Sequence, residues 1–205
     1  MSTALDVTFG RPWVLAFCLG VRDALTLDDR KVPKTEWATS ASCGNQSLSR
    51  GWESWWDALL RQGATHRGFS RLSQERDPSM ILPADASLRS AAMTVVAPVE
   101  ALVSEWLARE ELQEPAFQVG RVAPLAEGFT AAGFQTPAGR RRAKRSLGRA
   151  LPDDVVVAVV PVAGEWGQVT KFGSIVVSAA VAADARVAER WFRTELWAAK
   201  PESTG

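Results

Sequence analysis

The hydrophobic pattern of the chain is clearest in its last third. Residues 155–162 are almost all valine, and a continuous apolar run of this length is typical of a strand buried on both faces. A polar turn at 164–167 and a second apolar run at 174–181 follow it. The pattern therefore predicts an antiparallel C-terminal β-hairpin with its turn at Gly164 to Gly167. We expect the 155–162 strand to be central in the sheet.

Alternating side chains predict two further strands. Large apolar residues occupy every second position from Trp13 to Leu19, and Phe117 and Val119 share one face of a later segment. The four expected strands lie near residues 12–19, 117–123, 155–162 and 168–181. Residues 21–27 suit a strand or a helical turn, and the sequence does not decide between them.

A helical spacing of apolar residues predicts the other elements. It is clearest for Trp52, Trp55, Trp56, Leu59 and Leu60. Ser49 suits the N-cap of this helix and Gly63 its C-terminal stop. Three more helices are expected: one beginning at Asp85 or Ser87, one near 98–112 and one near 184–199. The sequence thus predicts an α+β fold, with a four-stranded mixed or antiparallel sheet packed against three to four amphipathic helices.

The three tryptophans on the 49–62 helix have two interpretations. They suit the protein core, provided that their N–H groups find acceptors. The alternative is a groove or an oligomer contact.

Length and composition indicate a globular domain. The chain has 205 residues, of which 46% are hydrophobic and 23% charged. We expect a single domain over 1–205, with a flexible polar connector near 63–84 and a short disordered tail at 200–205. The first residues carry no basic cluster, and the apolar run at 12–21 is too short to span a bilayer. We therefore expect a soluble, cytoplasmic protein without a membrane span.

A basic helix is the first candidate for a binding surface. Thr136 and Pro137 suit the start of a helix that runs to about Leu151. The cations of this helix are Arg141, Arg142, Lys144, Arg145 and Arg149, with no acidic residue among them. Because the net charge of the chain is only +1, this local cluster suits nucleic-acid phosphates or an acidic partner. The alternative is a solvated face balanced by nearby acidic residues.

A second candidate surface combines tryptophan with arginine. On the last helix, Trp197 falls on the polar side beside Arg190 and Arg193, and Trp166 lies in the polar turn at 164–167. Exposed tryptophan near arginine is typical of protein contacts. Glu195 falls by angle near the middle of the apolar arc of the same helix, where a carboxylate needs a partner. Loose packing at the end of the helix is the alternative explanation for both misfits.

The sequence offers little to support catalysis. Cys43 precedes a predicted helix, as some nucleophilic cysteines do, but His66 is the only histidine that could serve as its base. The chain has no paired histidine or cysteine ligands and no glycine-rich phosphate motif. We assign no catalytic residue, metal site or cofactor.

The functional expectation therefore rests on surfaces. We expect a non-enzymatic module that binds another protein or assembles with itself through Trp166, Trp197, Arg190 and Arg193. The first alternative is association with nucleic acid through the 137–151 helix, and the second is an enzyme with an unrecognised site.

Overall fold

The computed structural model describes residues 6–29, 31–38, 46–109, 123–134, 136–139, 141 and 154–197. Its strands are β1 (Asp6–Gly10), β2 (Asp154–Val160), β3 (Gly167–Val169) and β4 (Ile175–Ser178). Its helices are α1 (Trp13–Ala24), α2 (Gln46–Gln62), α3 (His66–Gln74), α4 (Ala86–Met93), α5 (Val96–Ala108), α6 (Ala123–Ala131), α7 (Ala179–Ala182) and α8 (Ala185–Trp197), with a 3-10 turn at Pro78–Met80. The predicted α+β class and the mixed four-stranded sheet are confirmed.

The sheet has the strand order β1-β2-β4-β3. Strands β1 and β4 both run parallel to β2, and β3 runs antiparallel to β4. In this register Val157 lies between Phe9 of β1 and Ile175 of β4. The predicted central position of the valine strand is therefore confirmed.

The valines of β2 serve two hydrophobic cores, because successive side chains of a strand point to opposite faces. Val155, Val157 and Val159 pack with the second core, whose aromatic residues include Phe129 and Phe192. Their neighbours Val156, Ala158 and Val160 pack with the first core, which holds α1 and α2. Helices thus cover both faces of the sheet, as parallel strands require.

Helix α1 is the most deeply buried helix of the first core. Every residue from Trp13 to Arg22 is buried. Helix α5 packs on it at Gly20, where an added Cβ would lie 2.6 Å from a methyl carbon of Val99. The absence of a side chain at Gly20 therefore allows the two helices to approach closely.

Helices α6 and α8 form the centre of the second layer. A Cβ added to Gly128 of α6 would lie 2.5 Å from the Cβ of Ala188 and 2.6 Å from the carbonyl oxygen of Ala185. The rings of Phe129 and Phe192 meet edge to face, with centroids 5.1 Å apart. A small residue and an aromatic pair thus fix the distance between these two helices.

The predicted strand at 12–19 is wrong, because these residues form most of α1. The residues between the large apolar side chains of this segment are buried as well: Val14, Ala16 and Cys18. The alternation that suggested a strand therefore does not separate a buried face from an exposed one. The rings of Trp13 and Phe17 stack at 4.9 Å, which is the i,i+4 contact of a helix. The undecided segment 21–27 is the last turn of this helix and its exit, where Thr26 has a φ of 54°.

The predicted hairpin is also wrong in its pairing. Strands β2 and β4 are parallel, and the antiparallel hairpin is formed by β3 and β4. Its turn lies at 170–174, where the amide of Thr170 donates to the carbonyl oxygen of Ser174 at 2.9 Å. Gly173 accommodates this turn with a φ of 97°. Strands that are buried on both faces are typical of parallel sheets. The predicted burial of both faces of residues 155–162 is therefore inconsistent with the predicted antiparallel hairpin.

Other boundaries were predicted with mixed success. The helix at 49–62 and its end before Gly63 are confirmed, but it begins at Gln46. Ser49 is therefore not its cap; instead its hydroxyl accepts a hydrogen bond from the amide of Asp28. The connector predicted near 63–84 contains α3 and the 3-10 turn. Thr65 and Asp77 cap these two elements, and a polar composition concealed them.

The remaining helices agree more closely with the sequence. The side chain of Asp85 caps α4 by accepting a hydrogen bond from the amide of Leu88. Of the two predicted starts of this helix, Asp85 is therefore confirmed. The helices expected near 98–112 and 184–199 are α5 and α8. The strand predicted at 117–123 and the tail at 200–205 lie outside the described residues, except that Ala123 begins α6.

Candidate functional site

The candidate site lies at the carboxyl edge of the parallel strands. Strands β1, β2 and β4 end at Gly10, Val160 and Ser178, and their carboxyl ends share one edge of the sheet. Loops at this edge of an open parallel sheet are the usual place for binding residues.

Two chain segments meet at this edge. Thr35 forms an isolated antiparallel bridge with Val162, just after β2. The amide of Glu36 donates to the carbonyl oxygen of Pro161 at 3.0 Å, and the amide of Ala163 donates to that of Lys34 at 2.9 Å. Segment 34–36 is therefore fixed beside the exit of the central strand.

A Glu-Trp pair lies on or directly after each of these segments, and each glutamate binds an arginine. Glu36 accepts a hydrogen bond from Arg109, after the end of α5, at 3.0 Å. Glu165 accepts one from Arg190 of α8 at 2.5 Å. The adjacent Trp37 and Trp166 are partly buried and pack on the first core. We call these six residues (Glu36, Trp37, Arg109, Glu165, Trp166 and Arg190) the Glu-Trp edge.

Trp166 is held by the end of β4. Its amide donates to the hydroxyl of Ser178 at 3.1 Å, and its carbonyl oxygen accepts from the amide of Ser178 at 2.8 Å. Ser178 also caps α7 through the amide of Val181. The same serine therefore fixes the start of a helix and the backbone of Trp166.

The other segment is held by a buried charge cluster at the end of α1. The guanidinium of Arg22 donates to the carbonyl oxygens of Val32 at 2.8 Å and Pro33 at 2.6 Å. It also pairs with Asp23 at 2.7 Å and lies 5.4 Å from the ring centre of Trp52. Because its donors are satisfied in this way, Arg22 can remain fully buried.

The Asp23 carboxylate links this cluster to the Glu-Trp edge. It accepts hydrogen bonds from the amide and the hydroxyl of Thr35, both at 2.7 Å. Burial alone raises the pKa of Asp23, but the hydrogen bond and charge of Arg22, together with the two bonds from Thr35, lower it below its ordinary value. The carboxylate of Asp23 therefore stays ionised beside Thr35, which directly precedes Glu36 of the Glu-Trp edge.

The structure divides the predicted partner-binding residues. Trp166 and Arg190 are brought together through Glu165. Arg193 is not part of this group, because it binds Glu189 and the carbonyl oxygen of Ala131 at the end of α6. Trp197 ends α8, and its side chain lies outside the described residues.

Sequence reasoning missed Trp37 and Arg109. The available signal was the repeated dipeptide, since Glu-Trp occurs at 36–37, 105–106 and 165–166. The dipeptide alone is not sufficient, because Trp106 is fully buried in the core. Only the tertiary contacts separate the two pairs at the edge from the third.

The start of the basic helix is described. Residues 137–139 are helical, and the hydroxyl of Thr136 accepts a hydrogen bond from the amide of Gly139 at 3.0 Å. Arg141 is helical and exposed. Its companions Arg142, Lys144, Arg145 and Arg149 lie outside the described residues.

The tryptophan face of α2 belongs to the core, which confirms the first of its two interpretations. Trp52, Trp55 and Trp56 are each at most 6% exposed. The indole N–H of Trp52 donates to the carbonyl oxygen of Cys18, and that of Trp55 to Ile81. Three of the most conspicuous aromatic residues therefore cannot contact a partner.

The remaining candidate chemistry is sparse in the part of the chain that the structure describes. Cys18 is fully buried, and burial raises the pKa of its thiol well above the ordinary value. Cys43 lies outside the described residues, and His66 begins α3. Glu195 is exposed near the end of α8, which agrees with the alternative explanation of loose packing there and not with a buried carboxylate that needs a partner. Among the residues that the structure describes, no group of three or more His, Cys, Asp and Glu could hold a metal ion.

Comparisons with known proteins give no relationship: no family model, curated protein or solved structure matches this chain. No single helix among the described residues is long and apolar enough to cross a membrane. Helices α4 and α5 satisfy that criterion only together, and a bend of 70° separates them.

Proposed function

We propose that this protein is a protein-binding module and that the Glu-Trp edge is its contact surface. The observation that carries the proposal is that two partly buried tryptophans each follow a glutamate that binds an arginine, on two segments joined by backbone hydrogen bonds. Tryptophan and arginine are the residues that dominate the binding energy of protein interfaces.

The geometry supports this proposal in terms of binding cost. The backbone of Trp166 is fixed by Ser178, and the segment before Trp37 is fixed by Pro161 and Asp23. A backbone that is already held in place loses little conformational entropy when a partner binds. The exposed arginines form a charged rim, which favours steering and selectivity over raw affinity.

The test compares the unaltered protein with a Trp37→Ala/Trp166→Ala variant. Each is immobilised and used for quantitative affinity capture, and every captured protein is then purified and titrated by calorimetry. We expect a partner whose dissociation constant rises at least about 30-fold in the variant, which corresponds to about 2 kcal/mol.

The matched control is Met80→Ala. Met80 is 66% exposed on the 3-10 turn and lies outside the Glu-Trp edge. The Met80→Ala variant should capture the same proteins as the unaltered protein and bind them with the same affinities. The same partners bound with equal affinity by the double tryptophan variant would overturn the proposal, provided that circular dichroism shows a folded protein.

A second candidate function is association with nucleic acid through the basic segment. It is supported by the capped helical turn at 137–139 and by the exposure of Arg141. Phosphate contacts of this kind release counterions, so binding weakens steeply with salt.

The test of this second candidate replaces Arg141, Lys144 and Arg145 with Ala. We expect weaker binding of duplex DNA or RNA and a smaller slope of log affinity against log salt. Absence of binding by the unaltered protein at low salt would end this candidate. The control is a single variant in which three arginines of α8 are replaced with Ala: Arg186, Arg190 and Arg193. It removes the same number of positive charges.

A further inference from the structure

Residues 32–37 cross the exit of the central strand, and we call this segment the strap. Its middle makes an isolated bridge from Thr35 to Val162, just after β2. On either side of this bridge, the amide of Glu36 and the carbonyl oxygen of Lys34 bond to the same stretch of chain. The crevice at this edge of an open parallel sheet is the usual place for binding. The strap therefore lies over the part of the sheet that also carries the Glu-Trp edge.

The turn that leads from α1 towards the strap is strained. Thr26 has a φ of 54°, and in the described part of the chain no other residue except glycine has a positive φ. Its amide donates to the carbonyl oxygen of Asp23 at 3.0 Å. The next amide, of Leu27, donates to the carbonyl oxygen of Arg22 at 2.9 Å. Helices often end in this left-handed way at a glycine, whereas a β-branched residue is strained there. Such a conformation persists only where surrounding contacts hold it.

The far end of the strap carries a second unfavourable feature. The indole N–H of Trp37 is buried and has no acceptor among the described residues. A buried donor without an acceptor lacks the hydrogen bond that water would give it. Movement of the strap away from the sheet would expose this N–H to water and relax Thr26. Both ends of the strap therefore oppose its present, closed position.

Two neighbouring residues of α1, Arg22 and Asp23, hold the strap closed, and we call them the latch. Arg22 is fully buried and donates to the carbonyl oxygens of Val32 and Pro33, the first two residues of the strap. The carboxylate of Asp23 accepts the amide and the hydroxyl hydrogen bonds of Thr35. Hydrogen bonds to charged groups are about twice as strong as those between neutral groups. Because adjacent residues make all four bonds, we expect these bonds to form and break together.

We propose that the strap is a conformational switch, which opens as a unit when the latch releases while the rest of the fold stays intact. Segments that open locally have few buried apolar contacts. Within the strap, Val32 is the only apolar residue that is buried, and Trp37 is only partly buried. The strap is thus held mainly by polar bonds to the latch and to the chain after β2.

Opening of the strap would regulate binding at the Glu-Trp edge. It separates Glu36 and Trp37 from the segment that carries Glu165 and Trp166, so a partner that contacts both segments binds the closed state alone. The apparent affinity then falls in proportion to the closed fraction. This consequence rests on the proposed function, whereas the opening itself does not.

Hydrogen exchange of single amides, measured by NMR on the native protein, tests the opening. The amides of Thr35, Glu36 and Ala163 report on it, because each is bonded to the latch or across the bridge only while the strap is closed. The amides of β2 and β4 serve as the reference. We expect the three reporter amides to exchange at least about tenfold faster than the slowest reference amides. Their rates should also depend less on urea, since local opening exposes little surface.

Two variants test the latch and the strained turn. Thr35→Val removes only the hydroxyl hydrogen bond to Asp23 and should speed exchange of the reporter amides by about tenfold. Thr26→Gly relieves the left-handed residue and should slow it by about threefold. The control is Gly128→Ala in the second layer, which lowers the stability of the whole fold. It should speed the reference amides by a larger factor than the reporter amides.

Reporter amides that exchange at the rate of the reference amides, with the same urea dependence, would overturn the proposal. Equal acceleration of both sets by Gly128→Ala would overturn it as well, because the strap would then open only with the whole protein. No change in Thr35→Val, or faster exchange in Thr26→Gly, would contradict the latch or the strain. The exchange is measured without a partner, so these results are independent of the affinity capture that tests the Glu-Trp edge.

Discussion

The carboxylate of Asp23 accepts both the amide and the hydroxyl hydrogen bond of Thr35, each at 2.7 Å. This contact joins the end of the buried helix α1 to the segment that carries Glu36 and Trp37. The Glu-Trp edge therefore depends on a charge cluster inside the protein as well as on its own surface contacts.

The first prediction concerns pH and Asp23. The pKa of Asp23 is lower in the folded protein than its ordinary value of about 3.9, so its ionised form stabilises the fold above about pH 4. That stabilisation is lost as the pH falls through the folded pKa. We expect Asp23→Asn to lower the free energy of unfolding by about 3 kcal/mol at pH 7, because the buried Arg22 then keeps only the more distant carboxylate of Asp29, at 4.0 Å, as a counter-ion. The difference should shrink below pH 4.

Urea unfolding of both proteins at pH 7, 4.5 and 3 measures this difference. The lowered pKa values of Asp77 and Asp184 are shared by both proteins, so their contributions cancel. The control is Asp57→Asn, which removes an exposed ion pair with Lys171 and should cost less than about 1 kcal/mol. An Asp23→Asn effect that is equally large at pH 3 and pH 7 would disprove the electrostatic explanation.

The second prediction compares two glycines in helices. Alanine at Gly51 of α2 meets only ordinary contacts, the nearest atoms being 3.5 Å from its Cβ. We expect Gly51→Ala to stabilise the protein by up to about 1 kcal/mol through helix propensity. At Gly128 the new Cβ would overlap the backbone of α8, so Gly128→Ala should destabilise by about 1–3 kcal/mol. Thermal and urea unfolding check both values, and opposite signs are required.

The third prediction concerns the stacked tryptophans of α2. The rings of Trp52 and Trp56 lie 5.7 Å apart and nearly parallel. Trp52 donates to the carbonyl oxygen of Cys18, whereas the N–H of Trp56 has no acceptor among the described residues. We expect Trp52→Phe to cost about 1 kcal/mol more than Trp56→Phe, since only the former removes a buried hydrogen bond. Equal costs measured by urea unfolding would contradict the assigned hydrogen bond.

The fourth prediction concerns Cys18. Its thiol is fully buried, and burial raises its pKa well above the ordinary value. In a Cys43→Ser variant, a disulfide reagent such as dithionitrobenzoate should not react with the native protein at pH 8 and should react fully in urea. Rapid labelling without urea would mean that α1 opens readily. The matched Cys18→Ala variant reports on Cys43 in the same assay.

Predictions from sequence were accurate where the pattern had both polar and apolar positions. The helix through Trp52, Trp55 and Trp56 was found because charged residues such as Glu53 and Asp57 define its other face. The same pattern placed α8. In α1, every position from Trp13 to Arg22 is buried, so the sequence contains no contrast that separates a period of 3.6 from a period of 2.

Strand β1 was missed although its residues alternate. Val7 and Phe9 are apolar and Asp6 and Thr8 polar, but five residues give a weak signal. The strand exists because it pairs with β2, more than a hundred residues later in the chain. Local sequence cannot reveal such a partner.

The candidate site was only half predictable. The sequence predicts Trp166 and Arg190 as partner-binding residues, whereas Trp37 and Arg109 join the candidate site only through the tertiary contacts. Each ion pair of the Glu-Trp edge joins residues that are distant in sequence, 25 apart for Glu165 and Arg190 and 73 apart for Glu36 and Arg109. No local pattern encodes such a distance.

The sequence by itself determined the α+β class, the central valine strand and the amphipathic helices, because burial of one face imposes a period that can be read locally. The tertiary structure decided the direction of the strands, the helical state of α1 and the residues that meet at the carboxyl edge. These features depend on which distant segments bury one another, since an apolar segment can become a helix or a strand according to the surface that covers it.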